Sequence, residues 1–214
     1  MSQSLAITYL KNQIRRGYAP IVLFVGRQRS GKTATSMLFA HQLDPSWTTD
    51  LMTFKIEDFV DLYDKHNKKI LILDEASVPL DPYEHMNITQ RVYKHVIDTQ
   101  AYKQNIVFLV LPFARGIGKQ HRDYVNLIVY VKRRGYYVAK AVFAAHDDLS
   151  SRPPFAWIVE EKADVPLPPP HIWKPYLEIG QAVYKQSIME AQKIRLALKG
   201  QGQPKKQQYD RLPL

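Results

Sequence analysis

The sequence predicts an α/β fold of three layers, with a mostly parallel central sheet and helices on both faces. Two observations carry this reading. Ile21 to Val25, Ile70 to Leu73 and Ile106 to Leu111 are unbroken apolar runs of β-forming residues, the pattern of strands buried on both faces. Segments of helical composition separate them: Lys32 to Leu43, Ile56 to His66 and Ile88 to Lys103. Strands alternating with helices build parallel sheets, because a right-handed crossover returns the chain to the same edge in the same direction.

Taken in order, Leu5 to Arg16 reads as a short amphipathic helix ended by Gly17. The helix from Lys32 is stopped by Asp44-Pro45, and Leu51 to Phe54 is a weak strand. In the next helix Ile56, Phe59, Val60 and Tyr63 share one face. Ala76 to Tyr83 is a proline-containing loop, and Val92, Val96 and Ile97 point inward from the helix that follows. Gly116 to Tyr124 is expected to form a short helix. Leu127 to Val131 and Tyr136 to Phe143 then flank the turn Lys132-Arg133-Arg134-Gly135 as a hairpin.

After Asp148 the character changes. Pro153-Pro154, Pro166 and Pro168-Pro169-Pro170 are expected to break regular structure. The expected organisation is a core over residues 1–148, a proline-rich connector over 149–175, a helix within 176–199 and a basic, mobile tail over 200–214.

Composition narrows the chemistry. Apolar residues make up 45% of the 214, enough for a packed core. The formal net charge of +10 favours polyanionic partners. No cysteine is present, so disulfides, cysteine nucleophiles and thiolate zinc sites are excluded. The first twenty residues lack the basic-then-apolar order of a signal peptide. No apolar run approaches the ~20 residues that cross a bilayer. A cytoplasmic protein without a membrane span is expected.

Gly26-Arg27-Gln28-Arg29-Ser30-Gly31-Lys32-Thr33 matches Gly-x4-Gly-Lys-Thr. Each part of that pattern has a mechanical reason. The glycines permit a tight loop whose backbone N–H groups point inward at phosphate oxygens. Lys32 reaches the β- and γ-phosphates, the Thr33 hydroxyl joins the shell of a Mg²⁺ ion, and the helix from Lys32 turns its positive end to the anion. A buried strand precedes the loop and a helix follows it, which is the context the motif requires. The fold class is therefore refined to a P-loop NTPase sandwich with a C-terminal extension.

The second half of such a site is Ile70-Leu71-Ile72-Leu73-Asp74-Glu75. Acids at the carboxyl end of a buried strand face the ligand crevice. Asp74 is expected to hold Mg²⁺ and Glu75 to polarise the attacking water. Asn67-Lys68-Lys69-Ile70 lacks the aspartate of a guanine-specific element, which leaves ATP as the expected nucleotide. The seven histidines form no His-Glu-x-x-His set, and no Gly-x-Ser-x-Gly elbow occurs.

Basic residues cluster. Lys103, Arg115, Lys119, Arg122, Lys132, Arg133, Arg134 and Lys140 lie between Tyr102 and Lys140 with only Asp123 against them. Lys193, Arg195, Lys199, Lys205, Lys206 and Arg211 follow near the end. Clusters of this kind bind phosphate backbones, and Lys132, Arg133, Arg134, Lys205 and Lys206 are the candidate contacts. Tyr136 and Tyr137 stand beside the turn, where one tyrosine of a strand pair points inward and the other can stack on a base.

The order of these features resembles that of the FtsK–HerA group of P-loop ATPases, and within it the small genome-packaging ATPases of archaeal and other internal-membrane viruses. The resemblance spans roughly residues 18–143. It rests on Gly26 to Thr33, on Met52-Thr53-Phe54 with the helix Ile56 to Tyr63, and on Ile70 to Glu75. It continues with Ala101-Tyr102-Lys103-Gln104-Asn105 before Ile106 to Leu111, and His121-Arg122-Asp123-Tyr124-Val125-Asn126 before Leu127 to Val131. One position departs from the pattern. The group's sensor strand usually ends in a polar residue, commonly glutamine, and here Pro112 follows Leu111, leaving Gln100, Gln104 or Arg115 for that role. The zonula-occludens-toxin-like assembly ATPases of filamentous phages are also similar, although they normally carry a membrane segment.

The resemblance implies an ATP-driven translocase of duplex DNA, working as a homo-oligomeric ring, and in the viral case serving a capsid or portal from the host cytoplasm. Arg122, just past the strand Ile106 to Leu111, is the candidate to act on a neighbouring subunit's ATP; Arg115 and Arg91 are its rivals, and contact with DNA phosphates is its other reading. A plasmid or cellular DNA pump or helicase is the close alternative. A small-molecule kinase, or a nucleic-acid-binding scaffold with a vestigial ATP site, represents a different class.

Overall fold

A computed structural model of the chain describes residues 4–74, 95–96, 99, 102–112, 124–144 and 155–200. The described strands are β1 (Ile21–Val25), β2 (Met52–Thr53), β3 (Ile70–Asp74), β4 (Ile106–Leu111), β5 (Val125–Arg133), β6 (Tyr136–Ala144) and β7 (Phe155–Asp164). The described α-helices are α1 (Leu5–Arg15), α2 (Lys32–Leu43), α3 (Ile56–Lys65) and α4 (Pro170–Gly200). Residues 95, 96, 99, 102 and 103 of the predicted helix Ile88 to Lys103 are also helical. The predicted loop Ala76 to Tyr83, most of the predicted short helix Gly116 to Tyr124 and residues 201–214 lie outside the described residues.

All seven strands join one sheet in the order β2-β3-β4-β1-β5-β6-β7. β2, β3, β4, β1 and β5 run parallel, and β6 and β7 extend the sheet antiparallel. The fold is thus α/β with a mostly parallel sheet, as the buried runs predict. Strand alternation sends Leu23 and Val25, Leu71 and Leu73, and Val107, Leu109 and Leu111 to one face, where they pack with Ile56, Phe59 and Tyr63 of α3. On the other face the Phe24 ring meets Phe39 of α2 edge-on at 5.3 Å and Phe108 at 5.1 Å. Phe39 in turn meets Tyr137 at 5.3 Å. Each fully buried ring contributes about 1.5–3 kcal/mol through removal of its surface from water. α2 and α3 therefore cover opposite faces, which makes the three layers.

Two side-chain amides, Asn105 and the half-buried Asn126, set how the strands begin. Asn105 is fully buried; its Nδ2 donates to the Tyr63 and His66 carbonyls at 3.2 and 2.7 Å, and its Oδ1 accepts from the Lys69 N–H at 3.0 Å. It ties the end of α3 to the starts of β3 and β4. The β1–β5 register jumps from Ile21↔Val125 to Val22↔Leu127, leaving Asn126 as an extra residue. Its side-chain oxygen accepts from the Ile21 N–H at 2.8 Å and replaces the interrupted ladder bond.

α1 ends as the glycine predicts. Gly17 takes φ +84°, its N–H donates to Ile14 and the Tyr18 N–H donates to Gln13, which is the Schellman arrangement.

Three differences from the sequence reading concern elements. β5 begins two residues earlier and ends two later than Leu127 to Val131, so the turn shrinks to Arg134-Gly135, with Gly135 at φ +77°. The stretch 149–175, expected to lack regular structure, contains β7, paired with β6 from Tyr136↔Asp164 to Ala144↔Phe155. Its prolines bracket the strand instead of interrupting it: Pro153-Pro154 precede Phe155 and Pro166 follows Asp164. α4 starts at Pro170, ahead of the expected Tyr176, because proline fits a first helical position where no N–H bond is required.

The chain divides into two compact units, Met1–Trp173 and Lys174–Leu214. Ile172 is buried in the first, which extends past the expected core boundary at residue 148. In the second, α4 exposes Leu177, Tyr184, Ile188, Met189 and Leu196. No helix among the described residues is long and apolar enough to cross a membrane.

Candidate nucleotide site

The site grows from the end of β1. Residues 26–31 leave the strand as a loop and α2 begins at Lys32. Within the loop the Ser30 N–H donates to Arg27 at 3.1 Å, and Arg29 and Gly31 take φ +62° and +96°. Left-handed backbone at those positions turns the chain back on itself, the route by which successive N–H groups come to face a common anion. The Gly31 carbonyl then accepts the first bond of α2, from the Thr35 N–H at 2.9 Å, with the Thr35 hydroxyl at 3.0 Å beside it.

The two glycines serve different ends. At Gly26 a Cβ would stand 2.3 Å from the Val131 carbonyl oxygen and 2.9 Å from Ser30 Oγ, so the end of β5 occupies the space that a side chain needs. At Gly31 the constraint is conformational, and the nearest atoms to an added Cβ are Cα and Cγ of Arg134, at 3.4 and 3.5 Å. Ser30 is buried, and its Oγ has no hydrogen-bond partner among the described residues.

Lys32 curls over the loop. Its Nζ donates to the carbonyls of Gly26 and Arg27 at 3.0 and 2.9 Å. Burial pushes its pKa below that of an ordinary lysine, and the nearby Asp74 charge opposes the shift. Asp74 closes β3 and is only 2% exposed. Its Oδ2 accepts from the Thr33 hydroxyl at 2.8 Å. The first turn of α2 and the carboxyl end of β3 therefore meet, although β4 separates β3 from β1 in the sheet. Two hard oxygen donors side by side fit a Mg²⁺ ion. No cluster of three or more His, Asp or Glu occurs among the described residues to suggest another metal.

Gly26, Arg27, Gln28, Arg29, Ser30, Gly31, Lys32, Thr33 and Asp74 are thus brought together; Arg27, Gln28 and Arg29 are exposed at its rim. Glu75, Arg122, Lys205 and Lys206 lie outside the described residues. Lys132, Arg133 and Arg134 are exposed on the β5–β6 hairpin. The Lys132 ammonium stands 5.5 Å from the Tyr130 ring centre, and the Arg133 guanidinium 5.3 Å from that of Tyr136 and 3.9 Å from Asp164. Of the tyrosine pair, Tyr137 is the buried member.

Sequence reasoning missed the approach of Arg134 to Gly31. No local signal carries it, because it follows from the parallel register Val25↔Tyr130, which runs β5 past the end of β1 and alongside the loop.

The strand order, the loop at the end of β1 and the acid at the end of β3 define the class: an α/β protein with the phosphate-loop arrangement. No protein-family model matches the chain, and no curated protein matches it. Among solved structures it is similar to the N-terminal domain of zonular occludens toxin from Neisseria meningitidis, at 13% identity and a TM-score of 0.42, over 71% of this chain and 95% of that one.

Proposed function

We propose that this chain hydrolyses ATP and uses the energy to move DNA, most narrowly as a viral genome-packaging motor. The observation that carries the hydrolytic part is the Thr33–Asp74 contact at 2.8 Å beside the Lys32 loop. It supplies, at one point, the cation, the anion-facing loop and the oxygen donors that a nucleoside triphosphate requires.

In this reading the backbone of residues 26–33 cradles the phosphates and Lys32 neutralises the β- and γ-phosphates. Thr33 and Asp74 would hold Mg²⁺, which when bound screens the charge on the phosphate oxygens. Glu75 takes a proton from water as that water attacks the γ-phosphorus. The bond to the bridging oxygen breaks, and ADP leaves as the base later returns its proton to solvent. Arg122 of a neighbouring subunit in a homo-oligomeric ring would stabilise the charge that develops. Lys132, Arg133, Arg134, Lys205 and Lys206 supply backbone contacts to duplex DNA, supported by the net charge of +10 and by the exposure of the hairpin. In the viral case a capsid or portal protein is the docking partner.

The test is phosphate release from MgATP by protein sized by light scattering, with and without duplex DNA. A DNA-stimulated rate in a ring-sized species is expected. Hydrolysis indifferent to DNA would refute the motor while leaving the ATPase. No hydrolysis under either condition would refute both.

A further inference from the structure

The β5–β6 turn forms one wall of the phosphate loop. β5 runs beside β1 with Val25 opposite Tyr130, so the residues from Val131 onward continue past the strand end, level with residues 26–31. The Val131 carbonyl fills the space over Gly26, and a Cβ added at Gly31 would touch the Cα and Cγ of Arg134 at 3.4 and 3.5 Å. The stem of Arg134 therefore stands beside the loop at Gly31, with its charged end three bonds beyond Cγ.

The three basic residues of this hairpin differ in their surroundings. Lys132 lies over the Tyr130 ring, and Arg133 faces Tyr136 and Asp164. The Arg134 side chain is exposed, and no hydrogen bond or ion pair engages its guanidinium among the described residues. Asp74 and Thr33 sit toward β3, across β4, whereas Arg134 comes from β5, on the other side of β1. The loop is thus flanked by an acid on one side and by an arginine on the other.

We propose that Arg134 binds the nucleotide of its own subunit, as a phosphate contact on the side away from Asp74. In this reading the γ-phosphate belongs to the Lys32–Asp74 side, so the arginine meets the part of the chain that ATP and ADP share, the α- and β-phosphates. A guanidinium is suited to this, since its planar fork donates two parallel bonds to phosphate oxygens. This moves Arg134 from the group of expected DNA contacts to the nucleotide site. The inference rests on reading the loop as an ATP site.

Calorimetric titration of MgATP and MgADP into the full chain tests it, using wild type, Arg134→Ala, Arg134→Lys and Lys32→Ala. Arg134→Ala is expected to weaken ATP and ADP alike, by about 10-fold. The deficit should shrink as salt is raised, and Arg134→Lys should recover part of it. Because Arg134 is exposed, the variant keeps its fold. Unchanged affinities in Arg134→Ala alongside a loss in Lys32→Ala would overturn this inference and leave the ATP site standing. A loss confined to ATP would also overturn it, by placing the guanidinium at the γ-phosphate. Failure of wild type to bind either nucleotide would overturn both readings.

Discussion

Two glycines six residues before and one residue before a lysine look alike in a motif, yet only one of them is there for its backbone angles. Gly31 needs its positive φ, whereas Gly26 is required by the Val131 carbonyl, 2.3 Å from where a Cβ would sit. Gly26→Ala must displace β5 or the loop. The expected cost is about 1–3 kcal/mol, the usual scale of overpacking, read as a lower urea midpoint. An unchanged midpoint would mean that the loop and β5 separate freely. Asn105 is the other residue whose role is settled by its partners. Asn105→Ala leaves the Lys69 N–H and the Tyr63 and His66 carbonyls unmatched in a buried place. A loss of about 2–3 kcal/mol in denaturant titrations is expected. The sequence marks Asn105 only as a polar residue before a strand, and the identity of its three partners depends on how α3 and β3 come together.

At the scale of elements, one hydrogen-bonded node joins α1 to the antiparallel strands. Ser4 caps α1 by accepting from the Ile7 N–H and donates to Glu161 Oε2 at 2.9 Å. The same carboxylate accepts from the Leu5 and Ala6 N–H groups and from the Tyr137 hydroxyl, so a strand acid satisfies the positive end of the helix. Burial, the largest cause, raises the Tyr137 pKa from 10.0 to about 12, with the Glu161 charge adding to the rise and the Ser4 bond opposing it. The folded state thus keeps the proton at a pH where the unfolded chain releases it. Stability from this group is full below pH 10 and falls as pH rises through 10 to 12, by on the order of 2–3 kcal/mol. Urea unfolding at pH 9 and 11 should show about half of that decline, roughly 1.3 kcal/mol, in wild type and a smaller one in Tyr137→Phe; equal declines would place its cause elsewhere. β1, β3 and β4 were legible because strands buried on both faces are written as apolar runs. β7 was not, since its flanking prolines resemble those of a linker and its pairing with β6 is a tertiary fact. The loop, Lys32, Thr33 and Asp74 were legible because the motif's spacing is local. The approach of Arg134 to Gly31 was not legible, because its place depends on the β1–β5 register, which the extra residue Asn126 shifts.

For the whole molecule, the parallel strands carry the candidate site at their carboxyl ends, and the antiparallel strands extend the sheet beyond it. The basic residues beyond the described portion enter the account through charge alone. Removing residues 201–214 is expected to leave the thermal transition in place and to flatten the dependence of DNA affinity on salt, since Lys205, Lys206 and Arg211 are lost. An unchanged salt slope would assign that segment to another partner. The central claim, that the loop after β1 holds the phosphates of ATP, is tested most directly by titrating MgATP into wild type and Lys32→Ala. The account predicts saturable binding by wild type and a loss of about 100-fold or more in the variant, because the phosphates lose their main protein cation. Equal affinities in the two proteins would contradict it.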